Sequence, residues 1–453
     1  MKKTVSPITG FNQEESVQEL RAKAKKISQR LMSFLEASPT AWQACSNAIS
    51  ELETAGFKRC NIGEDHKLTR GAKGYFCQND SAIVAFSIGK LDEKQEFHIY
   101  GSHSDSPSLR IKPNAISINE GIIRLTTEVY GGPILNTWFD RPLSLAGRVV
   151  VRSADPLHPQ SHLVDCKRPI LILPNVAIHM NRHVNEGVKI ENHRVLLPFL
   201  ACAELESQHE NLIEELLASE IGCEPHDILD YDLMLYEAVA PTICGLKEEF
   251  ISAGRLDNQA SLVAGLDALI ATATGDHNGI NILIITDNEE VGSRSKQGAD
   301  SFFVRDALET ITISLGYDRK QFLATLHRSY MISADLAHAV HPNYADLADP
   351  THRPKLNGGP VIKMAANQAY ASDAFSAAVF AELCTKANIP CQYFVNRSDM
   401  RGGSTIGPIT SAYLPIPTVD VGTPIWGMHS ARETGGILDQ HYMTELVKYF
   451  YSL

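Results

Sequence analysis

The chain has 453 residues, of which 44% are hydrophobic and 21% charged, ordinary globular content for two or three domains. Its 53 acidic and 41 basic residues leave a formal net charge of −12. That balance argues against a general binder of nucleic acid or anionic membranes, and against steering of acidic ligands by the whole-molecule field. No window reaches the roughly 18 apolar residues of a membrane span. The basic start MKKTVSPITGFNQEE lacks the apolar segment of a secretory signal. Nine scattered cysteines with no CxxC pair read as reduced thiols in a cytoplasm.

Residues 15–56 read as largely helical, with apolar positions at Leu20, Ile27, Leu31 and Leu35. AIVAFSIG and FHIYGS follow as adjacent strands, completing the first part (1–105) of a catalytic domain. From 106 to 245 the texture changes. Short strand-like runs (GIIRLTTEVYGG, LAGRVVVRS, PILILPNVAI) alternate with Gly and Pro turns, and a polar, acidic helical stretch follows around 202–220. This reads as an inserted, mostly β domain. The catalytic domain resumes at 246–453 with helix 257–273, strand 280–286, helix 304–315, strand 330–336, helix 373–387, strands 391–396 and 416–421, and helix 439–452. Such alternation predicts an α/β fold with a mixed, mostly parallel sheet and helices on both faces. The stretch 341–359 reads as a long loop of the functional kind.

The chemistry gathers at strand ends, where such sheets bind their ligands. GINILIIT is a buried strand, and TDNEEVGS follows it, placing Glu289 and Glu290 side by side. Two glutamates there are costly unless something positive waits for them. Because neighbouring side chains diverge on an extended backbone, one can ligate a metal while the other handles a proton. GSHSDSPSLR sets His103 and Asp105 two residues apart, able to project from one face. AGRLDNQASLVAGL puts Asp257 at a helix start, where it can also be a simple cap. MISADLAHAVHP ends a strand at Asp335, with His338 and His341 behind it, and GMHSARETGG offers His429 in a loop. Together they suit two divalent ions, Asp257 bridging, with one histidine and one further carboxylate on each side. Glu289 would be the base that takes a proton from water, and Asp105 would orient His103. There is no HExxH, GxSxG, GxGxxG or GK[ST] phosphate loop. GGSTIG at 402–407 can approach a ligand closely or be a simple turn.

HSDSP, RLDNQAS, DNEEVGS, SADLAHAVHPNY, GSTIGPI and MHSARE, in this order, resemble the aspartyl aminopeptidase and vacuolar aminopeptidase I family of dinuclear zinc aminopeptidases. NTWFDRPLSLAGRV, AIHMNR and GPVIK extend the resemblance over nearly the whole chain. It implies a zinc-exopeptidase-like fold and two zinc ions per subunit, with Co or Mn as substitutes. One ion would be held by His103, Asp257 and Asp335 and the other by Asp257, Glu290 and His429, with Glu289 as general base. It also implies that His338, Lys363 and Tyr370 hold the substrate, and that His179 reaches a neighbouring subunit's active site. The inserted domain would then serve assembly, and the family's tetrahedral dodecamers imply a homo-oligomer acting on peptides.

Two departures bear on specificity. After GPVIK the chain reads MAANQAYASD, with Asn367 and Ala369 where Lys and Arg are common in the family, and Met400-Arg401-Gly402 replaces the usual Pro-Cys pair. A pocket for Asp or Glu then has Lys363 as its remaining fixed charge, a point charge without arginine's planar fork. The expected activity is release of N-terminal residues, with acidic ones preferred. The alternatives are a same-family enzyme for Leu or Met, a related dinuclear carboxypeptidase or deacylase using Arg401 for the substrate carboxylate, and an idle cargo particle.

Overall fold

The structure, a computed structural model, describes residues 17–91, 95–187, 189–205 and 211–453. The amino-terminal segment read for a secretory signal, residues 15–16 of the predicted helical region and residues 206–210 of the predicted acidic helical stretch lie outside these. Helices α1 (Val17–Ala37) and α2 (Ala41–Thr54) divide at Pro39. An extended hairpin follows, β1 (Lys58–Arg59), β2 (Lys73–Gln78) and β3 (Ala82–Ile88), then β4 (Phe97–His103). The next seven strands are β5 (Ser108–Asn119), β6 (Ile122–Tyr130), β7 (Pro142–Val151), β8 (Gln160–Asp165), β9 (Leu171–Ile172), β10 (Phe199–Cys202) and β11 (Ile228–Glu237). Helices α3 (Asn192–Val195) and α4 (Leu212–Ile221) lie among them. Strands β12 (Thr242–Cys244) and β13 (Phe250–Ala253) lead into α5 (Leu256–Thr272) and β14 (Ile280–Thr286). Then come α6 (Phe303–Ser314), α7 (Arg319–Arg328), β15 (Tyr330–Ala334), β16 (Ala337–His338), β17 (Val361–Met364), α8 (Ala374–Lys386) and β18 (Gln392–Val395). The chain closes with α9 (Ile406–Tyr413), β19 (Thr418–Gly422), β20 (Pro424–Trp426), β21 (Glu433–Gly436) and α10 (Ile437–Tyr451).

Three sheets result. The largest has nine strands in the order β1-β2-β3-β14-β4-β15-β19-β17-β18, and its central four, β14, β4, β15 and β19, are parallel. Every residue of β14 is buried, as a strand covered on both faces requires. Its side chains alternate: Leu283 and Ile285 pack with residues of α1, α2, α5, α8 and α10, while Ile282 and Ile284 pack with those of α6 and α7. This is the predicted α/β architecture. One detail differs: β3 and β4 are not neighbours, because β14 lies between them, antiparallel to β3 and parallel to β4. Two consecutive apolar strands gave no sign that a third, nearly 180 residues on, would be inserted.

The second sheet is antiparallel, in the order β11-β5-β6-β10-β9-β7-β8 with β11 also pairing β7, so it curls back on itself like a barrel. It encloses its own apolar cluster of Leu109, Leu125, Leu145, Leu233, Leu235 and others. The third sheet, β12-β13-β21-β20-β16, is small and draws strands from positions far apart in the chain. It was not anticipated, since strands of two to four residues carry little periodic signal.

Close backbone approach seats the site on this frame. A Cβ added at Gly422, the end of β19, would lie 1.9 Å from the carbonyl oxygen of Asp335. We expect Gly422→Ala to destabilise the fold by about 1–3 kcal/mol as an overpacked position, read as a lower thermal midpoint. A variant melting with the wild type would show that this contact does not constrain Asp335.

Candidate active site

The carboxyl ends of the parallel strands meet at one place. His103 is the last residue of β4 and pairs in register with Thr286 at the end of β14. Asp287 through Glu290 follow β14 directly, and Asp335 follows β15. The small sheet brings the rest. β13 runs through Gly254 and Arg255 into Asp257, and the β20–β21 hairpin carries His429 in its loop. Arg255, Asn288 and His429 all hold left-handed backbone conformations, with φ near 60–69°, which turn these loops sharply inward.

Two groups of donors form around Asp257. His103 Nε2 lies 3.7 Å from Asp257 Oδ1 and 3.8 Å from Asp335 Oδ1. His429 Nε2 lies 3.4 Å from both Asp257 Oδ2 and Glu290 Oε2. The two oxygens of Asp257 thus face different histidines. Ligand atoms of His103, Asp257 and Glu290 all fall within 4.8 Å of one another. Glu289 Oε2 is 4.0 Å from His103 Nε2. The sequence-derived residues His103, Asp105, Asp257, Glu289, Glu290, Asp335 and His429 are therefore all brought together.

Backbone amides and other side chains hold this set. Asp105 accepts from the amides of Glu289 and Glu290 (3.1 Å each) and from the Tyr130 hydroxyl (2.7 Å). Its Oδ1 is 3.3 Å from His103 Nδ1, which also faces the Asp105 carbonyl oxygen at 3.1 Å. His429 Nδ1 is 3.0 Å from the Gly132 carbonyl oxygen, which makes Nδ1 the donor and leaves Nε2 free to ligate. Glu433, absent from the sequence-based set although it lies inside MHSARE, accepts from the amide of Asp257 at 3.0 Å and that of His429 at 2.8 Å.

The electrostatics are those of an acid-rich, largely buried edge. Burial first, then neighbouring carboxylates, push Glu289 up to about 8, and Glu290 is raised by burial and Asp257. Burial opposes a proton on His429, but Asp257 lifts that ring to about 9. Burial likewise opposes a proton on His103, and Asp105 and Asp335 carry it well above its ordinary value. Asp335 runs the other way. Although it is buried, the Lys363 charge holds it below the usual carboxylate range. Asp257 Oδ1 and Glu290 Oε1 are buried without a hydrogen-bond partner. Buried anionic oxygens left so are unfavourable unless a cation meets them. A carboxylate and imidazole donor set at this spacing fits zinc.

The other predicted residues fall differently. Lys363 is buried, with Nζ 3.4 Å from Asp335 Oδ2, 3.2 Å from the Leu336 carbonyl oxygen and 5.2 Å from the centre of the Tyr370 ring. Its charge is thus directed at a carboxylate of the cluster rather than at open space. Tyr370 is buried beside it. His338 sits in the small sheet with an exposed edge, its ring against Phe394. His179 lies on an exposed loop and shares no hydrogen bond or ion pair with the cluster among the described residues. Arg401 is exposed in the loop before α9. No helix among the described residues is long and apolar enough to cross a membrane.

Known proteins resemble this chain along most of its length. The sequence pattern of the aminopeptidase I zinc metalloprotease (M18) family matches residues 34–451. A probable M18 family aminopeptidase 2 of Clostridium novyi is 46% identical over 430 residues, covering 94% of this chain and 99% of that protein. Ape4, solved in complex with Nbr1, is 33% identical with a TM-score of 0.92, over 96% of this chain and 87% of Ape4. The S. cerevisiae mApe1 dodecamer is alike in fold, with a TM-score of 0.83 at 24% identity, over 94% of this chain and 96% of that one. The buried histidine and carboxylate cluster and these likenesses agree: the chain belongs to the aminopeptidase I zinc metalloprotease (M18) family.

Proposed function

We propose that this M18 aminopeptidase removes N-terminal residues from peptides at a site for two zinc ions per subunit. The observation that carries the reading is Asp257, whose two oxygens each face a different histidine, with a further carboxylate beside each histidine. His103, Asp257 and Asp335 would hold one ion and Asp257, Glu290 and His429 the other. Zinc bound there supplies Lewis acidity toward a peptide carbonyl. Glu289 has no assigned ligand role and borders the cluster. It takes a proton from the attacking water and delivers it to the departing amine nitrogen. Asp105 fixes the orientation of His103 and, through two amide hydrogen bonds, the backbone that carries Glu289 and Glu290. Co or Mn would substitute for zinc.

For the first residue of the peptide, the acidic preference rests on Lys363 with His338 and Tyr370 nearby. A second reading, preference for Leu or Met, is favoured by one observation: the Lys363 ammonium is already directed at Asp335 and the Leu336 carbonyl. With Asn367 and Ala369 uncharged, no other cation is offered in that segment. We further propose that residues 106–245 form an inserted assembly domain between catalytic segments 1–105 and 246–453, and that the protein is a homo-oligomer, as mApe1 is a dodecamer. Val176, Ile178 and Met180 support this: they flank His179 and are 59%, 47% and 80% exposed. Apolar side chains clustered in this way mark contact surfaces. The cytoplasm remains the compartment we propose.

Three outcomes are expected. Metal-stripped protein with Zn, Co or Mn restored should release the first residue from aminoacyl substrates of Asp and Glu faster than from Leu, Met or Lys; faster release of Leu or Met would replace the acidic reading with the neutral one, and no release from any would end the aminopeptidase proposal. Glu289→Gln should keep its zinc, by elemental analysis, while kcat falls about 100- to 10,000-fold, the usual worth of a general base; wild-type turnover would remove Glu289 from that role. Size-exclusion chromatography with light scattering should give an oligomer, and His179→Ala should lower turnover without changing that mass. A fully active monomer would discard a site shared between subunits.

A further inference from the structure

We infer that Glu433 is a positioning residue for zinc, setting the separation between Asp257 and His429 by holding both of their backbone amides. The inference rests on the reading of those two residues as metal ligands. Glu433 is 2% exposed, and its two oxygens are used separately: Oε2 takes the Asp257 amide at 3.0 Å and Oε1 the His429 amide at 2.8 Å. Asp257 and His429 are 172 positions apart in sequence, and neither lies in a regular strand. Asp257 follows the left-handed Arg255, and His429 is itself left-handed at φ 69°. Asp257 stands in the irregular first turn of α5 and His429 in the β20–β21 loop, and among the described residues no strand ladder joins those two places, so a shared acceptor sets their relation.

The acceptor itself is well anchored. Glu433 begins β21 and pairs in register with Ala253, the last residue of β13, so the strand pairing aims its side chain at the start of α5. Arg432, its neighbour, donates to Glu237 at the end of β11 at 2.8 Å and to Ser252 and Ala240. The same geometry recurs across the site, where Asp105 takes the amides of Glu289 and Glu290. Each carboxylate spans two amides, and each pair of amides belongs to residues of the site.

A glutamine cannot reproduce this. Its carbonyl oxygen accepts one of the two amides, while its NH2 group faces the other amide donor to donor. Glu433→Gln is therefore expected to weaken zinc binding about 10- to 100-fold at the position shared by Asp257, Glu290 and His429, the usual cost of losing an outer hydrogen-bond partner of a ligand. The measurement is zinc content and competition affinity of the full-length protein, with His429→Ala as the comparison and the thermal midpoint of the zinc-stripped forms recorded. Loss of one zinc in both variants, with zinc-free midpoints like the wild type's, supports the inference. Loss in His429→Ala but wild-type affinity in Glu433→Gln overturns it and leaves the metal assignment standing. Unchanged zinc in His429→Ala overturns the metal assignment itself and this inference with it. Should Glu433→Gln not fold, hydrogen exchange of the wild type decides: slow exchange at the Asp257 and His429 amides supports the inference, and exchange at solvent rate at either overturns it.

Discussion

Like charge buried at the edge of a sheet is the constraint on which this structure turns. Asp105, Asp257, Asp287, Glu433 and Asp335 are all buried, and Glu289 and Glu290 are only partly open. They converge on a place where the protein supplies the Lys363 ammonium and two imidazoles as cationic partners. Repulsion and desolvation both act against such a cluster. Its effect is visible in the raised pKa values of Glu289, Glu290, Asp287 and Glu433, the last three pushed up first by burial, as is Glu289. What lets the cluster exist is a supply of oriented backbone N–H groups and room for cations.

That supply explains why three sheets are needed. The large sheet delivers His103, Asp335 and the Asp287–Glu290 segment at the carboxyl ends of parallel strands. The small sheet delivers Asp257, His429 and Glu433 through one register, Ala253 opposite Glu433. The barrel-like sheet closes the site from the other side: Tyr130 holds Asp105, the Gly132 carbonyl fixes the His429 ring, and Ile134 and Thr137 bond to His429 and Ala431 of the same loop. Residues 130–137 therefore act as a strap on the His429 loop. The segment 106–245 thus shapes the site as well as carrying the exposed apolar loop around His179.

Division of labour among the acids follows from their surroundings. Asp335 stays ionised because Lys363 faces it at 3.4 Å, so Lys363 serves the cluster from within. Asp105 is held low against its burial by His103 and by donors from three directions. Burial first, then the neighbouring carboxylates of Asp335, Asp105 and Asp257, lift Glu289 to about 8, and among the described residues no hydrogen bond reaches its carboxylate.

Much of this was legible in one dimension. The largely apolar run INILIIT reads as a doubly covered strand, and acids or histidines just past such strands fall at the carboxyl edge of the sheet whatever the details of topology. That is why His103, Glu289, Glu290 and Asp335 could be named from local pattern, and why the motif order pointed to the family. Other features are set only in three dimensions. The insertion of β14 between β3 and β4, the joining of β13 to β21 in the small sheet, the capture of the Asp257 amide by Glu433 and of His429 by the Gly132 carbonyl all depend on contacts between segments more than 100 residues apart. The burial of Lys363 against Asp335 likewise depends on which strands lie side by side. Periodicity reports which face of an element is covered; it carries no record of which element covers it, and so the histidines and carboxylates of the cluster were readable in sequence while the groups that hold them in place were not.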